Sequence, residues 1–308
     1  MLKLKIGTRG SPLALAQANW VKDRLIEHYD KCQIQIVSIK TEGDRLKNIS
    51  ISQMGGKGLF VKEIEKALLE GAIDLAVHSM KDLPRELPSG LIIAAITKRE
   101  DPFDVFVSKS YSSLNDLPPH STIATGSLRR RVQLMHYRSD LTIKEIRGNV
   151  DTRIRKLNEG FAEGLVLAAA ALKRLKKRNK ITQYLHPDIC LPAAGQGALG
   201  IEIKAEDTFL KKKLTVINDV VSSSVITAEM SCLHSLGVSC HTPAAAYGEV
   251  SGGDILLKGL VASLDGKKVI KKKMLGPKEE AEMLGELLAK KIIDAGGGKL
   301  LAQFSKKR

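Results

Sequence analysis

Cysteine and aromatic residues are both scarce in this 308-residue chain. Its four cysteines, Cys32, Cys190, Cys232 and Cys240, are too few and too scattered for a disulfide scaffold, and none forms a CxxC pair of the kind zinc sites use. Reduced thiols and no metal site are therefore expected. Aromatic residues make up 4% of the chain, so platforms for stacking nucleic-acid bases are few. Long apolar runs are missing too. The stretch Gly164 to Leu172 falls far short of the roughly 18 residues that cross a bilayer. The N-terminus, Met1-Leu2-Lys3-Leu4-Lys5-Ile6, alternates polar and apolar and lacks the apolar core of a signal peptide, which points to the cytoplasm.

What is abundant is positive charge: the net charge is +15, with 43% of the residues hydrophobic. That hydrophobic content rules out disorder as the main state, and the length predicts two or three domains of about 100 to 150 residues. The basic surplus suits nucleic acid, an anionic membrane surface or a small polyanion, and acidic small molecules carry equal weight among these.

Strand, turn and helix signals alternate along the chain, which predicts an α/β class with parallel or mixed sheets. Leu2 to Gly7 reads as a strand, followed by the turn Thr8-Arg9-Gly10-Ser11 and a helix from Pro12 to about Tyr29, with Ser11 as N-cap. Gln33 to Ile39 and Asp74 to Val77 read as strands, and Leu59 to Leu69 as a helix with one apolar stripe. The same order recurs at Thr122-Ile123-Ala124 with a helix Leu128 to Tyr137, and at Thr142 to Ile146 with a helix from about Asp151. Gly164 to Ala168 reads as a buried strand feeding a helix that carries Lys173, Arg174, Lys176, Lys177 and Arg178. The pattern changes near Lys98 to Pro102 and near Leu191 to Ile201, as at passages between domains. Beyond about Val216 come a helix, strands at Ile255 to Ala262 and Lys268 to Lys273, and a helix from Glu279 to Ala295, a smaller α+β domain. No tandem repeat is visible.

In open α/β sheets, ligands collect beyond the carboxyl ends of strands. Arg9-Gly10-Ser11, Lys81-Asp82, Thr125-Gly126-Ser127 and Arg147-Gly148-Asn149 all fall there. Ser11, Ser127 and Asn149 open helices whose unpaired N–H groups can receive anions, with Arg9, Arg129, Arg130, Arg147 and Arg153 nearby. Pattern alone leaves open whether these residues only cap helices and face solvent. Asp82 in His78-Ser79-Met80-Lys81-Asp82-Leu83-Pro84 is either a turn residue or a carboxylate set among cations to handle a proton or a transient positive charge. Cys240 lies in a turn-like segment and is either an inert thiol or a nucleophile. Lys57 in Gly55-Gly56-Lys57-Gly58 adds a cation on a glycine-rich loop, and the lysine runs read as solvated faces. Gly195-Gln196-Gly197 lacks the spacing of a nucleotide loop.

Six separated segments nevertheless carry a family likeness. They are Gly7 to Ala14, Gly55 to Phe60, His78 to Pro84, Ser127 to Arg130, Arg147 to Val150 and Leu191 to Gly197, and through them nearly the whole chain resembles porphobilinogen deaminase, also called hydroxymethylbilane synthase. The resemblance implies two lobes like those of periplasmic binding proteins and a smaller α+β C-terminal domain. Their expected bounds are 1–97 plus 198–215, 103–191 and 220–308.

It implies a transferase of porphyrin and heme biosynthesis. Porphobilinogen units are added head to tail with loss of ammonia to a dipyrromethane cofactor held by thioether to Cys240, and a linear tetrapyrrole is released by hydrolysis. By the family's pattern Asp82 is catalytic, protonating the departing amine and countering charge on the pyrrole nitrogens. Lys81, Thr125, Ser127, Arg129, Arg130, Arg147 and Gly148 would bind the cofactor, and Arg9, Ser11, Gln17, Phe60, Arg147, Arg153 and Gln196 the substrate. A monomer with no nucleic-acid or membrane partner is also implied. The sequence departs from the family at Val238, Ser239 and His241, where two glycines and a glutamine are usual, and at Met230, where arginine is common. A non-catalytic two-lobe anion binder and a nucleic-acid binder remain the rival classes.

Overall fold

Local chemistry sets the first helix. Ser11 is extended and its hydroxyl accepts the N–H of Ala14, while Pro12 occupies the first turn, where no N–H is needed. Such a cap contributes about 1 kcal/mol. The computed structural model describes residues 2–42, 61–84, 86–238 and 242–305. In chain order, the first elements are β1 (Leu2–Arg9), α1 (Pro12–His28), β2 (Cys32–Ile39), α2 (Lys62–Leu69), β3 (Leu75–Ser79) and β4 (Leu91–Ile96). There follow β5 (Asp104–Val107), β6 (Thr122–Ala124), α3 (Leu128–Tyr137), β7 (Thr142–Lys144), α4 (Val150–Asn158), β8 (Gly164–Ala168), α5 (Ala169–Arg174) and β9 (Gln183–Tyr184). The remainder is β10 (Leu199–Lys204), α6 (Thr208–Leu214), α7 (Val220–Ser235), β11 (Ala244–Ser251), β12 (Asp254–Ala262), β13 (Val269–Pro277), α8 (Ala281–Ile292) and α9 (Gly298–Ser305).

The chain divides into two compact units, Met1–Glu100 with Ala198–Ser223, and Asp101–Gly197 with Ser224–Arg308. The first is built on a sheet of order β2-β1-β3-β10-β4, in which β1 is parallel to β2 and β3 while β10 runs antiparallel to β3 and β4. Side chains alternate across its strands: Leu75 and Val77 join Ala18, Val21 and Leu25 on the α1 side, whereas Ala76 packs with Ile64 and Leu68 of α2.

The second unit holds a sheet of order β7-β6-β8-β5-β9 with the same pattern of directions, three parallel strands followed by two that each reverse. The repetition is therefore one of topology, carried by sequences with no visible repeat. Val105, Val107, Leu165 and Leu167 pack with Ile154 and Leu157 of α4, and Phe106, Ile123 and Val166 with Leu134 of α3. An antiparallel sheet of order β11-β12-β13 completes this unit. One of its faces packs on α7, α8 and Leu300, and its other face joins Ala245, Tyr247 and Leu260 to Val132 and Leu191.

The structure departs from the sequence reading at several ends. The helix expected to carry Lys173 through Arg178 stops at Arg174, because Lys176 takes a left-handed φ of 57° and Lys177 donates its N–H back to Leu172 O at 2.8 Å. That is a helix-ending motif usually built on glycine. The final expected helix is α8, followed by a break at Gly296 (φ 99°) and then α9. β4, β5, β10, β11 and the short β9 were not expected.

Candidate active site

In the first unit the candidate residues gather at one sheet edge. β1 and β3 are parallel, with Ile6 opposite Leu75 and Gly7 opposite Ala76, so Arg9 and Ser79 end at the same edge and their following loops leave from it. Beyond Ser79 the chain makes a single 3-10 turn, Met80–Asp82. Leu83 returns to extended geometry before Pro84, as a residue preceding proline must. Met80 and Leu83 are buried and Asp82 is exposed.

The flanks of this turn are firmly held. Met80 N–H donates to Ala198 O at 3.1 Å, Leu83 N–H to Met80 O at 3.3 Å, and the buried Gln17 amide to Ser79 Oγ at 2.8 Å. Gly200 of β10 provides the seat: a Cβ there would lie 2.4 Å from Met80 Sδ and 3.3 Å from Leu83 Cδ1. His78 Nε2 meets Glu202 Oε2 at 2.9 Å inside the sheet. The carboxylate of Asp82 itself has no hydrogen-bond or ion-pair partner among the described residues. Arg9 and Lys81 are half-buried and engaged with neighbours.

In the second unit a buried polar network surrounds Asp104, a residue the sequence reading did not single out. Its Oδ2 accepts from Arg129 Nη1 at 2.6 Å and from Cys190 Sγ at 3.3 Å. Its Oδ1 accepts from Arg130 Nε at 3.0 Å, Arg130 Nη2 at 2.7 Å and Gln196 Nε2 at 2.9 Å. Arg129 also donates to Leu191 O at 2.6 Å and Arg130 to Val166 O at 3.0 Å. Burial by itself raises the Asp104 carboxyl, but the two guanidiniums override it and hold the group well below the usual carboxylate range. The same surroundings push Cys190 up to about 12, first through burial and then through the Asp104 charge. A sequence signal existed: an acid heading the otherwise apolar segment Asp104-Val105-Phe106-Val107.

The remaining candidates of this unit line helix starts. Ser127 caps α3 by accepting from Arg130 N–H at 3.4 Å, and Thr125 Oγ1 accepts from Ser127 N–H at 3.2 Å. Asn149 caps α4 through Thr152 N–H at 2.9 Å, Arg153 Nε donates to Gly148 O at 2.7 Å, and Arg147 pairs with the exposed Glu145 at 2.6 Å. Gly148 has φ 112°, and a Cβ there would sit 2.7 Å from Thr152 Cγ2, so both conformation and space require glycine. Glu229 of α7, fully buried, accepts the N–H of Gly195 at 2.7 Å and of Gly248 at 2.8 Å, tying the segment that bears Gln196 to the three-stranded sheet. Phe60, Cys240 and the Gly55–Gly58 loop with Lys57 lie outside the described residues.

Known proteins match the chain closely. Residues 4–212 fit the family model described as porphobilinogen deaminase, dipyromethane cofactor binding domain, and residues 224–294 fit that of porphobilinogen deaminase, C-terminal domain. The porphobilinogen deaminase of Geobacter sulfurreducens is 46% identical over 301 residues, covering 98% of this chain and 94% of that protein. The porphobilinogen deaminase of Natranaerobius thermophilus is 47% identical over 308 residues, covering 98% and 99%. A solved nutrient-binding protein from Burkholderia cenocepacia, bound to methionine, is similar over 69% of this chain and 90% of its own, with 15% identity and a TM-score of 0.44. No described helix is long and apolar enough to cross a membrane.

Proposed function

The chain belongs to the porphobilinogen deaminase family, and from that premise we propose which of its own side chains carry the reaction. Its activity is hydroxymethylbilane synthesis, the condensation of porphobilinogen with loss of ammonia on a dipyrromethane cofactor in porphyrin and heme biosynthesis. The cofactor supplies the pyrrole carbon to which the first unit is joined.

The donor set fits such a group. Acetate and propionate arms call for cations, hydroxyls and free helix N–H groups, and Ser127 and Asn149 begin helices beside Thr125, Arg147, Gly148 and Arg153. Together with Lys81 these residues are assigned to the acid arms, with Cys240 as the thioether anchor. Arg129 and Arg130 act from behind, because two guanidiniums facing one carboxylate leave a surplus positive charge in a buried setting. On the substrate side stand Arg9, Ser11, Phe60, Arg147 and Arg153. Gln17 and Gln196 work through the groups their amides hold, Ser79 and Asp104.

The observation that carries the reading is Asp82, exposed and unpartnered among the described residues on a turn whose flanks are buried and bonded. A fixed carboxylic acid gives its proton to the departing amine nitrogen, and the carboxylate left behind faces the cationic pyrrole without the cost of reorienting solvent. Asp82→Asn is expected to keep the fold and the cofactor mass while ammonia release falls about 10²- to 10³-fold, the range for removing one preorganised electrostatic group. Unchanged turnover would refute the assignment. Intact mass of the Cys240→Ala protein, expected to equal the bare polypeptide, tests the anchor.

We also assign three domains, 1–97 plus 198–215, 103–191 and 220–308, each supported by its own apolar cluster. A monomer in the cytoplasm without nucleic-acid or membrane partners completes the reading. The few aromatic residues support the lack of a nucleic-acid partner, and light scattering and salt-dependent binding to single strands test the reading.

A further inference from the structure

We propose that His78, held by Glu202, is a positioning residue for the Asp82 carboxylate, an inference that rests on Asp82 being the catalytic group. His78 and Glu202 project from neighbouring antiparallel strands, with His78 opposite Gly200 and Glu202 opposite Ala76, and they meet at 2.9 Å. His78 is 6% exposed and Glu202 0%, so the bond is shielded from water. On their face of the sheet, the one covered by α2, Ala76, Ile64 and Leu68 are buried, an apolar setting in which a polar pair is costly unless its direction matters.

Its direction does matter here. The pair crosslinks β3 and β10 just where both reach the Asp82 turn. Immediately beyond it, Met80 N–H donates to Ala198 O and Met80 lies against Gly200, both at the start of the Glu202 strand. A shift of β10 along β3 therefore moves the acceptor and the seat of the turn together. Asp82, with no side-chain partner of its own among the described residues, moves with its backbone. Near-attack geometry tolerates little of this, since a displacement of about 1 Å can cost about 100-fold in rate.

Glu65 of α2 lies beside the pair on this same face. Its Oε1 and Glu202 Oε1 are both buried without a hydrogen-bond partner among the described residues, and its carboxyl is raised by burial and then by the Glu202 charge.

The test uses the cofactor-loaded protein, with loading verified by intact mass, and measures steady-state turnover and single-turnover ammonia release. His78→Leu is expected to lower kcat about 10- to 100-fold with KM changed less than about threefold. His78→Gln, whose amide nitrogen still reaches Glu202, restores most of the rate. The shorter His78→Asn does not, and it carries the test if the leucine protein fails to fold. Because His78 acts through Asp82, His78→Leu in an Asp82→Asn background should slow the residual reaction no further. Losses that multiply in the double variant, or full kcat in both His78→Leu and His78→Asn, would overturn the proposal. Full activity of Asp82→Asn alone would instead overturn the reading of Asp82.

Discussion

Arg130 sends two of its nitrogens, Nε at 3.0 Å and Nη2 at 2.7 Å, to the same oxygen of Asp104 inside the second unit. Arg129 takes the other oxygen, so one carboxylate fixes both guanidiniums. Removing a single member of such a group strands a charge away from water, which is far more costly than losing an exposed pair.

Arg129→Leu and Arg147→Leu should therefore separate. The first leaves Asp104 short of a partner and is expected to cost about 3–5 kcal/mol of unfolding free energy. The second breaks the pair with Glu145, whose side chain is 61% exposed, an exposed ion pair worth under about 1 kcal/mol, and should cost less than the first. Urea denaturation of both proteins checks the difference; equal losses would mean that Asp104 is not the counter-charge.

Asp104 also gives stability a definite dependence on pH. Its folded carboxyl lies below its unfolded value, so it contributes stability that is present above about pH 4 and is lost as pH falls toward the folded value. The stability gap between the parent protein and Asp104→Asn should be full at pH 7 and shrink below about pH 4. A gap that stays constant from pH 7 to pH 3 would contradict the burial and pairing described.

Glu65 runs the other way. Its folded carboxyl is raised, so its contribution is fully present below about pH 4.3 and is lost as pH rises through the folded value. Glu65→Gln is isosteric and neutral, and its melting temperature relative to the parent should gain more at pH 8 than at pH 4. Melting curves with the reverse order would remove Glu65 from the buried cluster.

Thiol reactivity offers an independent probe. Cys190 and Cys232 are fully shielded and both are pushed up to about 12, chiefly by burial, while Cys32 is half-buried and raised less. Native-state alkylation followed by peptide mapping should label Cys32 before either of the others. Early labelling of Cys190 would mean that the Asp104 network opens readily.

Local chemistry was legible in the chain wherever one residue acts on its near neighbours. The cap at Ser11 and the proline after it announced α1, and the turn Thr125-Gly126-Ser127 gave α3 with the bounds Leu128–Tyr137. The helix after β8 was read too long because an αL lysine at position 176 carries no mark in sequence that distinguishes it from a helical one. β11 escaped notice because Ala244-Ala245-Ala246 has little strand character until β12 pairs with it.

The loop residues with their cations, the α/β alternation and the family likeness were thus determined by sequence, since caps, turns and side-chain periodicity depend on contacts a few residues apart. Tertiary structure alone decided that Arg129 and Arg130 turn inward to Asp104, that Glu229 grips Gly195 and Gly248, and that His78 meets Glu202. These partners are 25, 26, 34, 19 and 124 residues apart. A buried charge must find its counterpart wherever the fold places it, and that choice leaves no periodic trace along the chain.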